Sequence, residues 1–333
     1  MAEPDDISLN DKRLKKLERL IRESFRVREN RTPTYVDVSG NLDRVALRQH
    51  QIIFGRRGSG KSCLLVYYRH EIAPDEQVHS AYLLADTIKT LDYPDVLLRL
   101  LLAIFQGLPG RTFAQRWKAR FRKKGDPVRE VIAELKELLT LPSAAKLKVT
   151  TGSDSRATER AGASAKTNIA GAEVTAEQSA GQSREEVRES DEAKMRTIEN
   201  RLADYKAVIQ DRISESKFDF GTFIIDDFYL IDSEVQPDVI DYVHRLLRDT
   251  DLYFKVGTVR HRTRLLKTTP LHVGIQIQQD VDGFNLDQTL EDLDQTGTYL
   301  GTMLRELGKQ VGIDDVCSTM SDEAEKDLVL LSG

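Results

Sequence analysis

From Gln51 onward, short apolar runs alternate with longer segments in which apolar residues recur every three or four positions. The runs QIIF and VHSAYLLA have the length and the composition of buried strands. The segments KSCLLVYYRHEI and DVLLRLLLAIFQ have helical spacing. Because parallel strands are joined by helical crossovers, this alternation predicts an α/β fold with a parallel sheet covered by helices on both faces.

The rest of the chain continues the same pattern with one long interruption. Residues 11–29 predict an amphipathic helix, since Leu14, Leu17, Ile21 and Phe25 form one stripe. The remaining strands are predicted, in chain order, at TYVDV, FDFGTFIIDDFYLI, LYFKVGTV and VGIQIQ. The remaining helices are predicted at DPVREVIAELKELLTL, over 237–248, and in a segment that carries Met195, Ile198, Leu202, Tyr205 and Ile209. From Leu286 the pattern is mainly helical.

The interruption is a change of composition after Ser143. No aromatic residue occurs between Phe121 and Tyr205, and the segment is rich in Ala, Ser, Thr, Gly and Glu. The stretches KLKVTT and NIAGAEVTAE alternate as strands do. We therefore predict that residues 145–190 are an insertion outside the core, either a protruding β-hairpin or a disordered segment.

Composition and charge narrow the class of protein. The chain has 333 residues with a net charge of −5, so no global attraction to nucleic acid is expected. Only two cysteines are present, which excludes a disulfide framework and suits a reducing compartment. The chain has neither an apolar signal segment at its start nor an apolar run approaching the ~20 residues of a membrane helix. These features predict a cytoplasmic protein without membrane contact.

The loop GRRGSGKS fits the phosphate-binding pattern G-x-x-x-x-G-K-[ST] between a predicted strand and a predicted helix. Glycines let main-chain N–H groups approach an anion, and the helix N-terminus adds partial positive charge. Lys61 is expected to reach the β- and γ-phosphates of a triphosphate, and the Ser62 hydroxyl is expected to bind Mg²⁺. The predicted nucleotide-binding residues are Gly55, Arg56, Arg57, Gly58, Ser59, Gly60, Lys61, Ser62 and Cys63.

The run FIIDDF predicts a central strand that ends in two acids beside the phosphates. Asp226 is expected to hold the Mg²⁺ shell, through water because Mg²⁺ keeps several of its waters. Asp227 is expected to act on the water that attacks the γ-phosphate, as a general base or by orienting it. A strand that simply ends in a polar turn is the alternative explanation of this run.

The order of motifs excludes two classes of P-loop protein. A GTPase should carry an N/T-K-x-D motif after the metal-binding strand, whereas the nearest match, SKFD, precedes that strand. The terminal LSG is similar to part of a transporter ATPase signature, but it follows both the glycine and the acidic motifs. Neither class has its motifs in this order.

The two motifs and the order of elements resemble the AAA+ class of P-loop ATPases, in the branch similar to origin-recognition and STAND-like ATPases. The resemblance covers about residues 35–333 without the insertion. It divides the chain into an N-terminal helical segment (1–34), an ATPase core (35–284) carrying the insertion, and a C-terminal helical lid (285–333). It implies ATP and Mg²⁺ as cofactors and assembly into a homo-oligomer.

The resemblance also implies two further catalytic positions besides Lys61 and Asp227. Thr258, at the end of LYFKVGT, matches the polar sensor of the strand that follows the acidic strand. The segment RHRTR matches the position of an arginine that reaches a neighbouring subunit's γ-phosphate. It offers Arg260, Arg262 and Arg264, of which we predict Arg262; a solvated basic turn is the alternative.

Two departures from the family pattern affect these expectations. The family usually has Glu where this chain has the shorter Asp227, which puts its role as a base and the hydrolysis rate in question. The arginine that the family carries near the end of its lid has no match before Gly333. The last residues, DEAEKDLVLLSG, predict a lid helix that is cut short by the end of the chain.

Three functions fit these motifs. The first is an oligomeric ATPase switch or motor acting with DNA or other nucleic acid through residues 111–124 (RTFAQRWKARFRKK), whose basic and aromatic side chains suit phosphates and bases. This stretch predicts a basic helix, and the four-residue spacing of Phe113, Trp117 and Phe121 more often indicates a buried face. The second is a STAND-like signalling or defence ATPase that contacts protein partners through 145–190. The third is a small-molecule kinase.

Overall fold

The computed structural model of the chain describes residues 11–24, 35, 37, 40–110, 125–142, 169–269, 271–287, 293–313 and 316. Outside these residues lie the predicted basic helix at 111–124, most of the predicted strand TYVDV and residues 145–168 of the insertion.

The strands are β1 Gln51–Phe54, β2 Val78–Leu84, β3 Phe220–Asp226, β4 Leu252–Thr258, β5 Leu266–Lys267, β6 Val273–Gly274 and β7 Asp282–Asn285. The helices are α1 Lys12–Ser24, α2 Asn41–Ala46, α3 Lys61–Tyr67, α4 Ala73–Asp75, α5 Asp95–Gln106, α6 Pro127–Leu138, α7 Ile169–Asn200, α8 Leu202–Ser214, α9 Gln236–Leu247 and α10 Leu293–Val311.

Five parallel strands form the central sheet in the order β2-β3-β4-β1-β7. The strand that carries the glycine loop, β1, and the strand that ends in the two acids, β3, are thus separated only by β4. Since parallel strands end at the same edge of the sheet, the loop after β1 and the acids at the end of β3 lie at one edge. This confirms the prediction of a parallel α/β sheet.

Alternate residues of the strands enter two different cores, as the twofold period of a strand requires. Ile52 and Phe54 of β1 join a core with α5, α6, α8 and α9 on one face of the sheet. Ile53, between them, joins a core with α2 and α3 on the other face. Both faces of the sheet are therefore covered, and the strands contain almost no exposed residues.

The N-terminal and C-terminal helices share a separate small core. Leu17 of α1 packs with Leu307 and Val311 of α10, and with Ile313 and Val316 just beyond it. Arg13 also donates a 3.2 Å hydrogen bond to the carbonyl oxygen of Gly312. The predicted N-terminal helical segment is therefore in contact with the predicted lid helix.

The edge strand next to β1 is not the strand that the sequence pattern indicates. VGIQIQ contributes only the two-residue strand β6, which pairs with β5 in an antiparallel hairpin. The edge strand is β7, and helix α10 begins at Leu293 rather than near Leu286. Strand β7 was not predicted because DGFN has weak strand propensity, and its pairing depends on the exposed edge of β1.

The described part of the insertion is helical, which corrects the expectation of a hairpin or disorder for residues 169–190. Helix α7 runs through 32 residues and includes the stretch after Asn168 that alternates like a strand. Its abundant Ala, Glu and Gln favour helix over strand. Val187 is buried, and the Ser190 hydroxyl donates a 2.9 Å hydrogen bond to the carbonyl of Pro142, so the end of the insertion packs on the core.

A half-buried histidine lies at the opposite end of the sheet from the glycine loop. His50 Nδ1 accepts a 3.2 Å hydrogen bond from the main-chain N–H of Phe254, and its ring stacks on the Phe254 ring at 4.4 Å. Burial, and then the neighbouring His244 and Lys255, lower the pKa of His50 to about 3. The accepting role of Nδ1 requires the neutral ring, which agrees with this direction.

Lowering the pH from 7 to 5 is expected to cost about 2 kcal/mol of stability through His50 alone. The folded pKa lies below the ordinary value of 6.5, so the unfolded chain binds the proton first as the pH falls. Stability is therefore full above about pH 6.5 and is lost progressively towards pH 3. Urea unfolding of the wild type and His50→Asn at both pH values measures the difference. An equal pH dependence in the two proteins would contradict this assignment.

Candidate functional site

The glycine loop between β1 and α3 has a backbone that only glycine adopts readily at two positions. Gly58 has a φ of 88° and Gly60 a φ of 87°, both in the left-handed region. Gly60 is the N-cap of α3, and its carbonyl accepts a 2.8 Å hydrogen bond from Leu64 N. The loop thus turns directly into a helix N-terminus, where main-chain N–H groups favour an anion.

Gly55 allows the loop to fold tightly on itself. A Cβ at this position would lie 2.2 Å from Ser59 Oγ, so any other residue would force the Ser59 side chain to move. The Gly55 N–H donates a 3.2 Å hydrogen bond to the carbonyl of Thr258 at the end of β4. The start of the loop is therefore attached to the strand between β1 and β3.

Lys61 lies across this loop. Its ammonium donates hydrogen bonds to the carbonyls of Gly55 at 2.9 Å and Arg56 at 2.7 Å, and the residue is 5% exposed. Burial lowers the pKa of Lys61, while the charges of Asp226, Asp227 and Asp287 oppose that shift. The charge of the loop lysine and the charges of the two acids at the end of β3 therefore act on one another.

Asp226 ends β3 and is 1% exposed. Its Oδ2 accepts a 2.8 Å hydrogen bond from the Tyr82 hydroxyl, and its Oδ1 accepts a 2.9 Å bond from the main-chain N–H of Asp227. A Cβ on Gly257 of β4 would lie 2.8 Å from Oδ1, so this glycine makes room for the carboxylate. Asp226 is thus held in one orientation by Tyr82 of β2, by the main chain of Asp227 and by the space at Gly257 of β4.

Asp227 follows with a left-handed backbone, at a φ of 56°. Such a conformation is uncommon outside glycine and is best tolerated by Asp and Asn. Burial, and then the charge of Asp226, raise the pKa of Asp227, while Lys61 and Arg57 lower it. The second acid therefore lies between a like charge and two cations at the mouth of the glycine loop.

Thr258 is fully buried, and its hydroxyl lies 2.6 Å from the hydroxyl of Thr263. Because Thr263 donates to the carbonyl of Val259 at 2.8 Å, the Thr258 hydroxyl is the donor to Thr263. The predicted sensor side chain is therefore bonded to the arginine-containing turn, and its carbonyl to the glycine loop. Thr258 connects the two segments in this structure.

The three arginines after β4 have three different partners. The guanidinium of Arg260 lies 4.4 Å from the Phe54 ring centroid, and that of Arg262 lies 4.8 Å from the Tyr229 ring centroid. Arg264 forms two hydrogen bonds with the Glu234 carboxylate at 3.0 and 3.1 Å. All three are exposed, and Arg262 lines a cavity of about 440 Å³ between the turns after β3 and β4.

A buried glutamine holds these two turns together. Gln236, at the start of α9, donates a 2.7 Å hydrogen bond to the carbonyl of Ile231 and accepts one of 2.7 Å from Arg264 N. The turn after the acids and the turn that carries the arginines are therefore joined through one side chain that is fully buried.

The remaining predicted residues lie along the loop and the first turn of α3. Arg56, Arg57 and Gly58 are exposed, and Ser62 and Cys63 are half-buried. Burial raises the pKa of the Cys63 thiol to about 11, so the thiol is protonated at neutral pH. The Arg56 N–H donates a 2.6 Å hydrogen bond to Oδ1 of Asp287, just after β7.

Sequence reasoning missed Tyr82, Gly257 and Asp287 at this site. Tyr82 occurs in an apolar strand, where a tyrosine normally indicates core, and Gly257 and Asp287 belong to no motif. Their roles come from strand order, which brings β2, β4 and β7 beside the acids and the loop. Without knowledge of which strands pair, the sequence contains no pattern that indicates these three residues.

Within the described ranges, no group of three or more His, Cys, Asp or Glu side chains is arranged to hold a metal ion. No described helix has the length and apolar character needed to cross a membrane. In comparisons with known proteins, no family model matches the chain and no curated protein matches it significantly.

Proposed function

We propose that the chain binds ATP with Mg²⁺ at residues 55–62 and hydrolyses it, as a nucleotide-dependent switch or motor. The observation that carries this proposal is the placement of the glycine loop with Lys61 after β1, and of Asp226 and Asp227 at the end of β3, at one edge of a parallel sheet. A loop lysine, main-chain amides and two acids are the groups that phosphoryl transfer requires for positioning and charge neutralisation.

The residues of the site fit a magnesium-bound triphosphate. Ser59 Oγ is buried within the loop without a hydrogen-bond partner, and such an orphaned hydroxyl is satisfied when an anion or water enters. Mg²⁺ uses one or two protein ligands together with phosphates and waters. Ser62 and Asp226 are the protein groups that would hold it. The cation would neutralise phosphate charge.

The chain's own residues have distinct parts in this proposal. Lys61 leaves the carbonyls of Gly55 and Arg56 and donates to the phosphates instead, which replaces two neutral acceptors with a charged one. Asp227 accepts a hydrogen bond from the attacking water and orients it. Because Asp227 is one methylene shorter than Glu, we expect slow turnover, which suits a switch.

The coupling of nucleotide to assembly rests on the turn after β4. Gln236 joins this turn to the turn after the acids, and the Thr258–Thr263 hydroxyl pair joins it to the end of β4, whose last carbonyl binds the glycine loop. We therefore expect a change at the phosphates to be transmitted to Arg262. Exposure at the carboxyl edge suits an arginine that completes the site of a second copy of the chain. Nucleic acid is the proposed substrate of the assembly; a protein partner acting on the insertion and a small-molecule kinase are the alternatives.

ATP hydrolysis measured with and without DNA, together with mass measurement with and without ATP, tests this function. We expect slow hydrolysis, stimulation by DNA that weakens steeply with salt, and a larger mass with ATP. A switch that acts through proteins would show the mass change without the DNA effect. A kinase would show neither and would remain a monomer.

In the same assay, the variant Arg262→Ala tests whether this arginine acts on a neighbouring copy of the chain. If Arg262 acts on a neighbouring copy, its loss removes hydrolysis and leaves ATP affinity unchanged. Arg264→Ala is the matched control, since that arginine is paired with Glu234 within its own chain. Equal loss of affinity and hydrolysis in Arg262→Ala would indicate a structural role through the Tyr229 ring and would contradict the proposal.

A further inference from the structure

Tyr82 of β2 is in direct contact with the first acid. Tyr82 lies opposite Ile224 in the β2–β3 pairing, and Leu84 lies opposite Asp226. Because paired residues and every second residue share one face of a sheet, the side chains of Tyr82 and Asp226 are on the same face. The 2.8 Å bond from the Tyr82 hydroxyl to Oδ2 spans the two-residue offset between them.

The Tyr82 hydroxyl is one of two hydrogen-bond donors to the buried carboxylate of Asp226. Oδ1 receives the Asp227 N–H, and Oδ2 receives the tyrosine hydroxyl, so each oxygen has one donor. An ionised carboxylate offers about four acceptor positions, which leaves roughly two for other groups. With both oxygens tied, rotation of the carboxylate about its Cβ–Cγ bond would break a hydrogen bond.

The tyrosine ring is itself held in place. The guanidinium of Arg69 lies 5.6 Å from the ring centroid, within the range of a cation–π contact. Tyr82 also packs against the core on the α3 face of the sheet. The hydroxyl is therefore presented to Asp226 from a fixed position rather than from a mobile surface side chain.

We propose that Tyr82 is a positioning residue for the Mg²⁺ site, and that its hydroxyl sets the metal affinity by fixing the plane of the Asp226 carboxylate. This inference rests on the proposed function. Groups that hydrogen-bond to a metal ligand orient the ligand and tune the site, and their loss weakens metal binding. Tyr82 has no contact with nucleotide in this scheme and acts only through Asp226.

Tyr82→Phe in the full chain is the test, with a fluorescent ATP analogue titrated in EDTA and then with added Mg²⁺. We expect the half-saturating Mg²⁺ concentration to rise on the order of tenfold, while analogue affinity in EDTA is unchanged. The matched control is Tyr253→Phe, which removes a hydroxyl from the amino end of β4. It should behave as the wild type in both titrations.

A double-mutant cycle separates a positioning role from a general one. If Tyr82 acts through Asp226, then Tyr82→Phe should have no further effect on the Mg²⁺ requirement in an Asp226→Asn background. An unchanged Mg²⁺ requirement in Tyr82→Phe alone, or equal losses with and without Mg²⁺, would overturn the inference and leave the proposed function standing. A wild-type chain that binds no analogue under either condition would overturn both.

Discussion

Replacing Lys61 with alanine is expected to weaken ATP binding by about a hundredfold or more and to abolish hydrolysis. Hydrogen bonds to charged groups contribute about 1.5–3 kcal/mol each, and two such bonds to phosphates correspond to at least this factor. In the structure the ammonium is buried and already aimed across the loop at two carbonyls. Titration of a fluorescent ATP analogue and a phosphate-release assay measure the two effects.

A control variant and a measurement of folding show whether the effect is specific to the Lys61 side chain. Lys206→Ala removes a lysine on α8 that pairs with the exposed Asp249, and it should change neither binding nor hydrolysis. Circular dichroism of Lys61→Ala checks that the variant retains the fold of the wild type. ATP affinity within error of the wild type would remove the basis of the proposed function.

Replacing Lys194 with methionine is expected to destabilise the chain by about 3–5 kcal/mol, which is the cost of leaving a buried charge unpaired. Lys194 of α7 is fully buried and donates to Asp95 Oδ1 at 2.7 Å and to the carbonyl of Pro142 at 3.0 Å. Asp95, in the first turn of α5, is 4% exposed. Urea unfolding at neutral pH measures the loss.

The double variant Lys194→Met with Asp95→Leu should recover part of this stability, since an apolar pair often replaces a buried ion pair without cost. The recovery is partial because Asp191, whose Oδ1 lies 3.5 Å from Nζ of Lys194, still loses its cation. Lys309→Met is the control, because its bond to Glu306 is exposed and such pairs contribute about 0–1 kcal/mol. If Lys194→Met unfolds at the wild-type urea concentration, then the end of α7 is not packed on α5 as the structure has it.

The strands of the sheet that carry long apolar runs could be predicted, and the one without such a run could not. QIIF, VHSAYLL, FGTFIID and LYFKVGT are each apolar enough to require burial, and they became β1 to β4. DGFN has no such requirement, and it forms a strand because the N–H and C=O groups of β1 need partners at that edge. The part of helix α7 within the predicted insertion, residues 169–190, was missed for a related reason, since a few alternating residues weigh less than helix propensity summed over a long helix.

Local sequence determined the glycine loop, because the left-handed turns at Gly58 and Gly60 and the start of α3 depend on residues that are adjacent in the chain. It also determined that an apolar strand ends in Asp226 and Asp227. Only the tertiary structure decided what surrounds those acids, namely the Tyr82 hydroxyl and the space at Gly257. The physical reason is that short-range backbone preferences are encoded residue by residue, whereas these contacts arise from strand order and register between segments up to 144 positions apart.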